Sequence, residues 1–242
     1  MAGVVTNLKN FFSTSSRNKL PGAEVSFSSF RQFHFLNTLD PQSLTDLLQF
    51  SEQRFFADLS PDLLDKKGLF FSIVATRLLL ERLLKKNPSH LVNYQLEPFT
   101  PPRHAAVVSL VGNFKPLALR PYFFDVLFAP FSSFHKKEFL SMMPQFANLL
   151  VNGGRAVFSF IHPALEYFLY NQNPSSPISS SNNLQNYFSS FKENNLYIEH
   201  LQEGVIDKEL KPFFHNLGQS DTFDEYRGIP LVLFFRVVKY IK

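Results

Sequence analysis

Residues 149–163 read LLVNGGRAVFSFIHP, and this stretch joins an apolar helix end, a glycine pair, a strand and a histidine. The chain has 9 glycines in 242 residues, so two adjacent ones, Gly153 and Gly154, indicate a specific requirement of the backbone. Glycine adopts the left-handed backbone conformation without a steric cost, and the pair therefore predicts a helix stop. The following RAVFSFI is β-branched and aromatic, which predicts a buried strand. His162 then stands at the carboxyl end of that strand, where open α/β sheets bind ligands.

The same alternation of helical and strand patterns continues on both sides of this stretch. Strands are predicted at residues 69–75, 91–97, 106–113, 123–129, 155–161, 196–203 and 230–239. Most are near-continuous apolar runs, which are typical of a parallel sheet covered on both faces. The last two are joined without a clear helical pattern and are expected to form an antiparallel pair. The predicted fold class is α/β: a Rossmann-like, seven-stranded, mostly parallel sheet with an antiparallel edge hairpin, the strand at 69–75 in the centre and helices on both faces.

Composition excludes several classes of function. Hydrophobic residues make up 45% of the chain. Cysteine is absent, which excludes disulfides, thiolate catalysis and metals held by cysteine. The histidines show no metal-ligand spacing with carboxylates, so no metal site is expected. The net charge is +4, but the basic residues are scattered in pairs without a nucleic-acid-binding motif, so nucleic acid is not an expected partner. No apolar run is long enough to predict a transmembrane segment.

The amino-terminal region, residues 1–34, is expected to form an arm separate from a domain that spans residues 35–242. Its first 23 residues contain no Asp or Glu, and one helical face carries Val4, Leu8, Phe11 and Phe12. This pattern is typical of a mitochondrial transit peptide. The alternative is a frayed amphipathic arm on a cytoplasmic protein. The expected location is the cytoplasm, with the mitochondrial matrix as the alternative.

Two longer segments carry a family resemblance. FFDVLFAPFSSFHKKEFLSMMPQFANLLVNGGRAVFSFIHP (123–163) resembles the fourth strand, helix, Gly-Gly turn and fifth strand of class I S-adenosylmethionine-dependent methyltransferases. YFSSFKENNLYIEHLQEGVID with PLVLFFRVVK is similar to that family's closing helix and final hairpin. The branch around the biotin-pathway carrier-protein methyltransferase is the most similar. The resemblance implies S-adenosylmethionine as cofactor and a small-molecule or acyl-carrier-like substrate.

The family's glycine-rich cofactor loop does not match in this chain. The glycine positions of that loop correspond to Ile73, Ala75 and Arg77 in FSIVATRLL. Those glycines let the backbone approach the ligand, and the following helix start supplies N–H donors. A β-branched Ile and a long Arg are expected to crowd that space. The resemblance therefore implies an eroded cofactor loop.

Two other cofactor positions are mixed. Glu97 ends the second predicted strand where the family's acid holds the ribose hydroxyls, although a solvated strand-end Glu accounts for it equally well. Asn113 falls where an acid usually meets the adenine amino group. The segment between them is short and contains Pro98, Pro101 and Pro102, so the usual intervening helix is not expected.

A covering segment follows the predicted site, at about residues 164–192. It carries aromatic residues on both sides of a Ser/Asn stretch: Phe168, Tyr170, Tyr187, Phe188 and Phe191. These residues are expected either to form a lid that binds a partner protein or an apolar small molecule, or to close the core. His162 is a candidate general base; a structural role at the strand end is the alternative.

Two hypotheses of function follow. In the first, the chain is a methyltransferase-like pseudoenzyme that has lost S-adenosylmethionine binding and serves as a binding or assembly partner. In the second, it is an active S-adenosylmethionine-dependent methyltransferase with a divergent loop. Cofactor binding separates the two, and the enzyme status depends on it.

Overall fold

A seven-stranded sheet with helices on both faces forms the domain, in a computed structural model. The structure describes residues 39, 41–72, 77–95, 104–112, 119–130, 136–165 and 184–241. These residues all lie in a compact unit that spans residues 32–242. The predicted boundary near residue 34 and the arm before it lie outside the described residues.

Up to the last strand pair, the described elements are strands and helices that alternate, except that three strands follow one another within residues 90–130. In chain order they are α1 (Pro41–Leu59), β1 (Lys67–Ser72), α2 (Arg77–Leu84), β2 (His90–Gln95), β3 (Val107–Val111), β4 (Phe124–Pro130), α3 (Lys136–Leu149), β5 (Leu150–Ile161), α4 (Leu184–Glu193), β6 (Leu196–Val205), α5 (Lys211–Asn216), α6 (Phe223–Tyr226) and β7 (Pro230–Lys239). Two 3-10 turns, Lys208–Leu210 and Ser220–Thr222, precede α5 and α6.

The strand order across the sheet is β3-β2-β1-β4-β5-β7-β6. The neighbours from β3 to β5 pair in parallel, whereas β7 is antiparallel to both β5 and β6. The predicted α/β class, the mostly parallel sheet and the antiparallel β6–β7 pair are confirmed. The predicted central position of the first strand is wrong, because β4 is the middle strand and β1 lies beside it. The apolar pattern indicates that both strands are buried but does not rank them.

Alternate residues of the strands face two helical layers. Phe158 and Phe160 of β5 contact α3, where the ring of Phe139 lies 5.2 and 4.5 Å from theirs. On the other face, Phe56 of α1 packs against Phe128 of β4 at 6.0 Å. Both layers are apolar, so the inner strands are buried between α1 and α2 on one side and α3 and α4 on the other, whereas β3 and most of β6 are at least partly exposed.

Helix α2 shows how local sequence sets an element's limits. Leu79, Leu80, Leu83 and Leu84 form one buried stripe, as their helical spacing predicts. The chain leaves the helix through Asn87, whose φ of 53° lies in the left-handed region. Asparagine tolerates that conformation better than most residues, and the following proline cannot continue a helix.

The glycine pair does not stop a helix, which corrects the prediction. Helix α3 ends at Leu149 and β5 begins at the next residue. Leu150 pairs with Phe124 and Arg155 pairs with Val126, so residues 151–154 form a bulge opposite Asp125. Gly153 has a φ of +78°, and a Cβ on Gly154 would lie 2.9 Å from the carbonyl oxygen of Val151. The pair is needed because the bulge turns the chain tightly against its neighbour.

Candidate functional site

The carboxyl edge of the parallel strands is the predicted position of a ligand site. The last residues of β1 to β5 meet there: Ser72, Gln95, Val111, Pro130 and Ile161. The predicted cofactor residues Ile73, Ala75, Glu97 and Asn113 lie outside the described residues. Arg77 is the first residue of α2, and four residues separate it from Ser72.

Aromatic rings lie between the ends of β1, β2 and β3. Phe71, the penultimate residue of β1, stacks on Tyr94 of β2 with ring centroids 5.4 Å apart. The hydroxyl of Tyr94 lies 2.0 Å from the position that a Cβ on Gly112 would take, directly after β3. Any side chain at residue 112 would therefore collide with Tyr94. Burial raises the pKa of Tyr94, so its hydroxyl stays protonated.

A buried polar ladder occupies the opposite face of β2 and ends at the same edge. The amide of Asn93 donates to the hydroxyl of Ser109 at 3.2 Å, and the amide of Gln95 donates to the carbonyl oxygen of Asn93 at 3.2 Å. Gln95 is 1% exposed, and its Oε1 atom has no hydrogen-bond partner among the described residues. The sequence prediction missed this ladder, although two amides at alternate positions of a buried strand are a signal for it. An unpaired buried acceptor costs about 1–3 kcal/mol, so a donor would be bound favourably there.

His162 lies at the carboxyl end of β5, as predicted. Its Nδ1 atom accepts the N–H of Ala164 at 3.2 Å, and its Nε2 atom lies 3.1 Å from Oε1 of Glu203. The neutral ring therefore carries its proton on Nε2 and donates it to the carboxylate. Its backbone N–H donates to Leu231 in β7 at 2.9 Å. Both ring nitrogens have partners, which is the geometry of a residue that fixes the helical turn at 163–165.

The charge state of His162 is set mainly by its surroundings. Burial lowers its pKa, while the carboxylate of Glu203 acts in the opposite direction. The side chain is 13% exposed, whereas that of Glu203 is 57% exposed. Burial is the larger effect, because an exposed carboxylate is screened by water. His162 is therefore held in the neutral form near neutral pH.

The described residues of the covering segment are mostly core residues. Tyr187 is 3% exposed and Phe191 is 1% exposed, and the ring of Tyr187 lies 4.3 Å from that of Phe160. Phe188 is half-buried and contacts the ring of Phe235 at 5.9 Å. Phe168 and Tyr170 lie outside the described residues. Of the predicted binding residues that the structure describes, Phe188 and His162 are the ones with accessible surface.

A buried carboxylate between α1 and β5 was not predicted. Glu52 is 3% exposed and accepts a hydrogen bond from the hydroxyl of Ser159, which is fully buried. Ser51, also buried, has a hydroxyl oxygen that finds no partner in the described part of the chain. Ser51 and Glu52 fall on the same helical stripe as Leu48 and Phe55, and polar residues on such a stripe are the signal for this cluster. The hydrogen bond fixes α1 on the sheet near the carboxyl edge.

The described part of the chain contains neither a metal-binding group of side chains nor a membrane-spanning helix. It contains no group of three or more His, Asp or Glu side chains that could hold a metal ion. None of its helices is long and apolar enough to cross a membrane.

Comparison with known proteins gives matches at the level of structure alone. No model of a known protein family matches the sequence, and no curated protein matches it.

Several solved structures are similar. An S-adenosylmethionine-dependent methyltransferase from Mesorhizobium loti has a TM-score of 0.57 and 12% identity over 78% of this chain and 98% of its own. Geranyl diphosphate C-methyltransferase from Streptomyces coelicolor, solved with Mg²⁺, geranyl diphosphate and S-adenosylhomocysteine, has a TM-score of 0.55 and 12% identity over 91% and 85%. The Haloferax volcanii protein solved with the Trm112 methyltransferase activator has a TM-score of 0.59 and 11% identity over 89% and 99%.

These likenesses establish the class of fold. The chain has the fold of the class I S-adenosylmethionine-dependent methyltransferases, as its resemblance implied. Identities this low carry no activity from one chain to another, because one fold serves many functions.

Proposed function

We propose that this protein is a methyltransferase-fold binding protein that does not hold S-adenosylmethionine more tightly than at about millimolar concentration. The proposal rests on the residue types in the segment between β1 and α2. Its glycine positions hold Ile73, Ala75 and Arg77. Without glycine, a Cβ stands wherever the backbone would have to approach the methionine moiety of the cofactor.

The side chains at the adjoining strand ends support the same conclusion. Phe71 and Tyr94 stack together at the ends of β1 and β2, and Tyr94 lies against Gly112. These groups offer aromatic surface where the amino and carboxylate groups of a cofactor need hydrogen bonds or opposite charges. The residues present therefore do not fit S-adenosylmethionine well, and we derive no methyl-transfer step.

The partner or ligand of such a protein would bind at the carboxyl edge of the sheet, beside His162 and Phe188. Both side chains are partly accessible there, and Phe188 is held by the ring of Phe235. A protein partner is consistent with the similar Haloferax volcanii protein, which forms a complex with an activator. An apolar small molecule is the other occupant that these side chains suit.

A second candidate function, an active methyltransferase on a small-molecule or acyl-carrier-like substrate, is favoured by one observation. The Oε1 atom of Gln95 is a buried acceptor at the carboxyl end of β2, and no described residue donates to it. It lies two residues before Glu97, which matches the family position that holds the ribose hydroxyls. A ligand hydroxyl that donates to Gln95 would remove the cost of the unpaired acceptor.

Calorimetric titration of the purified protein with S-adenosylmethionine tests the proposal. We expect no saturable binding below about 1 mM, a binding free energy no stronger than about −4 kcal/mol. Ile73→Gly combined with Arg77→Gly is expected to improve binding if steric filling is the cause.

Micromolar affinity in the unmodified protein would overturn the proposal and establish the second candidate. Gln95→Met is the variant for that outcome, because it keeps the approximate shape of the side chain and removes the acceptor, together with the amide that donates to Asn93. If the cofactor binds beside β2, this variant is expected to weaken it about tenfold or more.

A further inference from the structure

A group of exposed tyrosines lies at the amino edge of the sheet, opposite the site described above. Tyr122 precedes β4, Tyr197 is the second residue of β6 and Tyr240 follows β7. Their exposed fractions are 56%, 39% and 51%. Because β7 is antiparallel to β5 and β6, its end meets the start of β6 at this edge. We call these three residues the tyrosine patch.

The patch is held in place by the backbone. Tyr122 has a φ of 51°, a strained conformation for an aromatic residue, and its N–H donates to the carbonyl of Asn148 at 2.9 Å. The N–H of Tyr240 donates to the carbonyl of Asn195 at 3.1 Å, and its ring lies 6.0 Å from that of Tyr197. Ordered aromatic side chains lose little entropy on binding, which suits them as contact residues.

A buried lysine lies against one member of the patch, Tyr122. Lys239 is 5% exposed, and its Nζ atom lies 4.3 Å from the centre of the Tyr122 ring. The ammonium donates to the carbonyl oxygens of Ala147 and Leu150, at the end of α3 and the start of β5. Among the described residues no carboxylate pairs with it. Burial lowers the pKa of Lys239, and because the ammonium is enclosed, a partner's carboxylate would favour its charged form from the surface without touching it.

Beside the patch, two arginines and one glutamate give a further local excess of positive charge. The carboxylate of Glu199 accepts bonds from two guanidinium groups, those of Arg155 at 3.0 Å and Arg236 at 2.8 Å. Two cations thus share one anion. The side chain of Arg155 is 41% exposed, and both Arg155 and Tyr197 pair with Val238 in β7. The patch therefore combines apolar rings with uncompensated positive charge.

We propose that the tyrosine patch docks a partner protein through a segment that carries carboxylates beside apolar side chains. Tyrosine and arginine are the residues most enriched in the energetic centres of protein interfaces. A second copy of this chain fits less well, because a symmetric contact would bring Lys239 and Arg155 near their own counterparts. A nucleic acid fits less well too, since affinity for it rests on several exposed cations that meet phosphates.

Site-specific photo-crosslinking tests this proposal on the full chain. Benzoylphenylalanine replaces Tyr240 in the test variant and Phe50, an exposed aromatic residue of α1, in the control. Both are irradiated in extracts of cells that express the protein, and crosslinked peptides are identified by mass spectrometry. We expect a protein crosslinked at position 240 and not at position 50, through a peptide that contains Asp or Glu.

The identified protein is then purified and titrated against three variants. Tyr240→Ala and Arg155→Ala are each expected to weaken binding about tenfold or more, whereas Phe50→Ala leaves it unchanged. Binding is also expected to weaken as salt is raised. Each variant's melting temperature shows that it is folded. The proposal is overturned if position 240 crosslinks to a second copy, to nucleic acid or to nothing above the control, or if the partner binds both patch variants normally.

Discussion

At the scale of single residues, burial is the main determinant of the protonation state of His162. Its ring is nearly enclosed, and its two nitrogens hold Ala164 and Glu203. Burial lowers the pKa of the folded state, while the unfolded chain keeps a value of about 6.5. Below about pH 6.5 the unfolded state therefore binds more protons than the folded state, and the free energy of unfolding decreases as the pH falls.

Substitution of His162 by Asn tests this assignment. Asparagine can still accept the N–H of Ala164 but does not titrate. Between about pH 6.5 and pH 5 we expect the natural protein to lose stability relative to this variant, by at most about 1.4 kcal/mol per pH unit for one proton. Urea unfolding at several pH values measures the difference. Parallel pH profiles for the two proteins would contradict it.

At the scale of elements, the bulge in β5 depends on two glycines for different reasons. Gly153 needs a positive φ, but no described atom lies within 4 Å of the position that a Cβ would take there, whereas Gly154 has three backbone oxygens within 3.3 Å of that position. We expect Gly154→Ala to destabilise the protein by about 1–3 kcal/mol through overpacking. Gly153→Asn is the control, because Asn tolerates the left-handed conformation at a cost below about 1 kcal/mol. Denaturant unfolding gives both values, and an equal loss in the two variants would refute the steric argument.

Helix α4 carries a core residue, Tyr187, next to Phe188, a residue of the proposed binding site. Tyr187 contacts the rings of Phe139, Phe160 and Phe235, so Tyr187→Ala is expected to cost about 3–5 kcal/mol. Phe188 is half-buried, and Phe188→Ala is expected to cost less than about 2 kcal/mol while weakening the ligand or partner proposed at the carboxyl edge. Thermal unfolding and a binding titration on the folded variant test the pair. Unchanged binding by folded Phe188→Ala would remove this residue from the proposed site.

At the scale of the whole molecule, the sheet was predictable because most of its strands are apolar runs, several of them bounded by recognisable helix starts and stops. The glycine bulge was not, since a glycine pair between apolar segments suits a helix stop equally well; only the pairing of Leu150 and Arg155 with β4 decides the matter. In the candidate site, the position of His162 followed from the end of β5. The hydrogen bond of Glu52 depends on Ser159 in β5, which no local pattern specifies, whereas two amides at alternate positions of β2 do indicate the contact of Gln95 with Asn93.

The position of β7 between β5 and β6 also affects how the chain folds during its synthesis. A ribosome that has released the chain only as far as β6 has exposed a parallel sheet whose outer strand, β5, has an open edge. Beside it is a strand, β6, whose partner along its whole length is not yet synthesised. Unpaired edges of this kind associate readily with other chains. Insertion of the last strand, residues 230–239, pairs both open edges and so ends the risk that they associate with other chains. Until then a nascent chain of this protein would depend on chaperones.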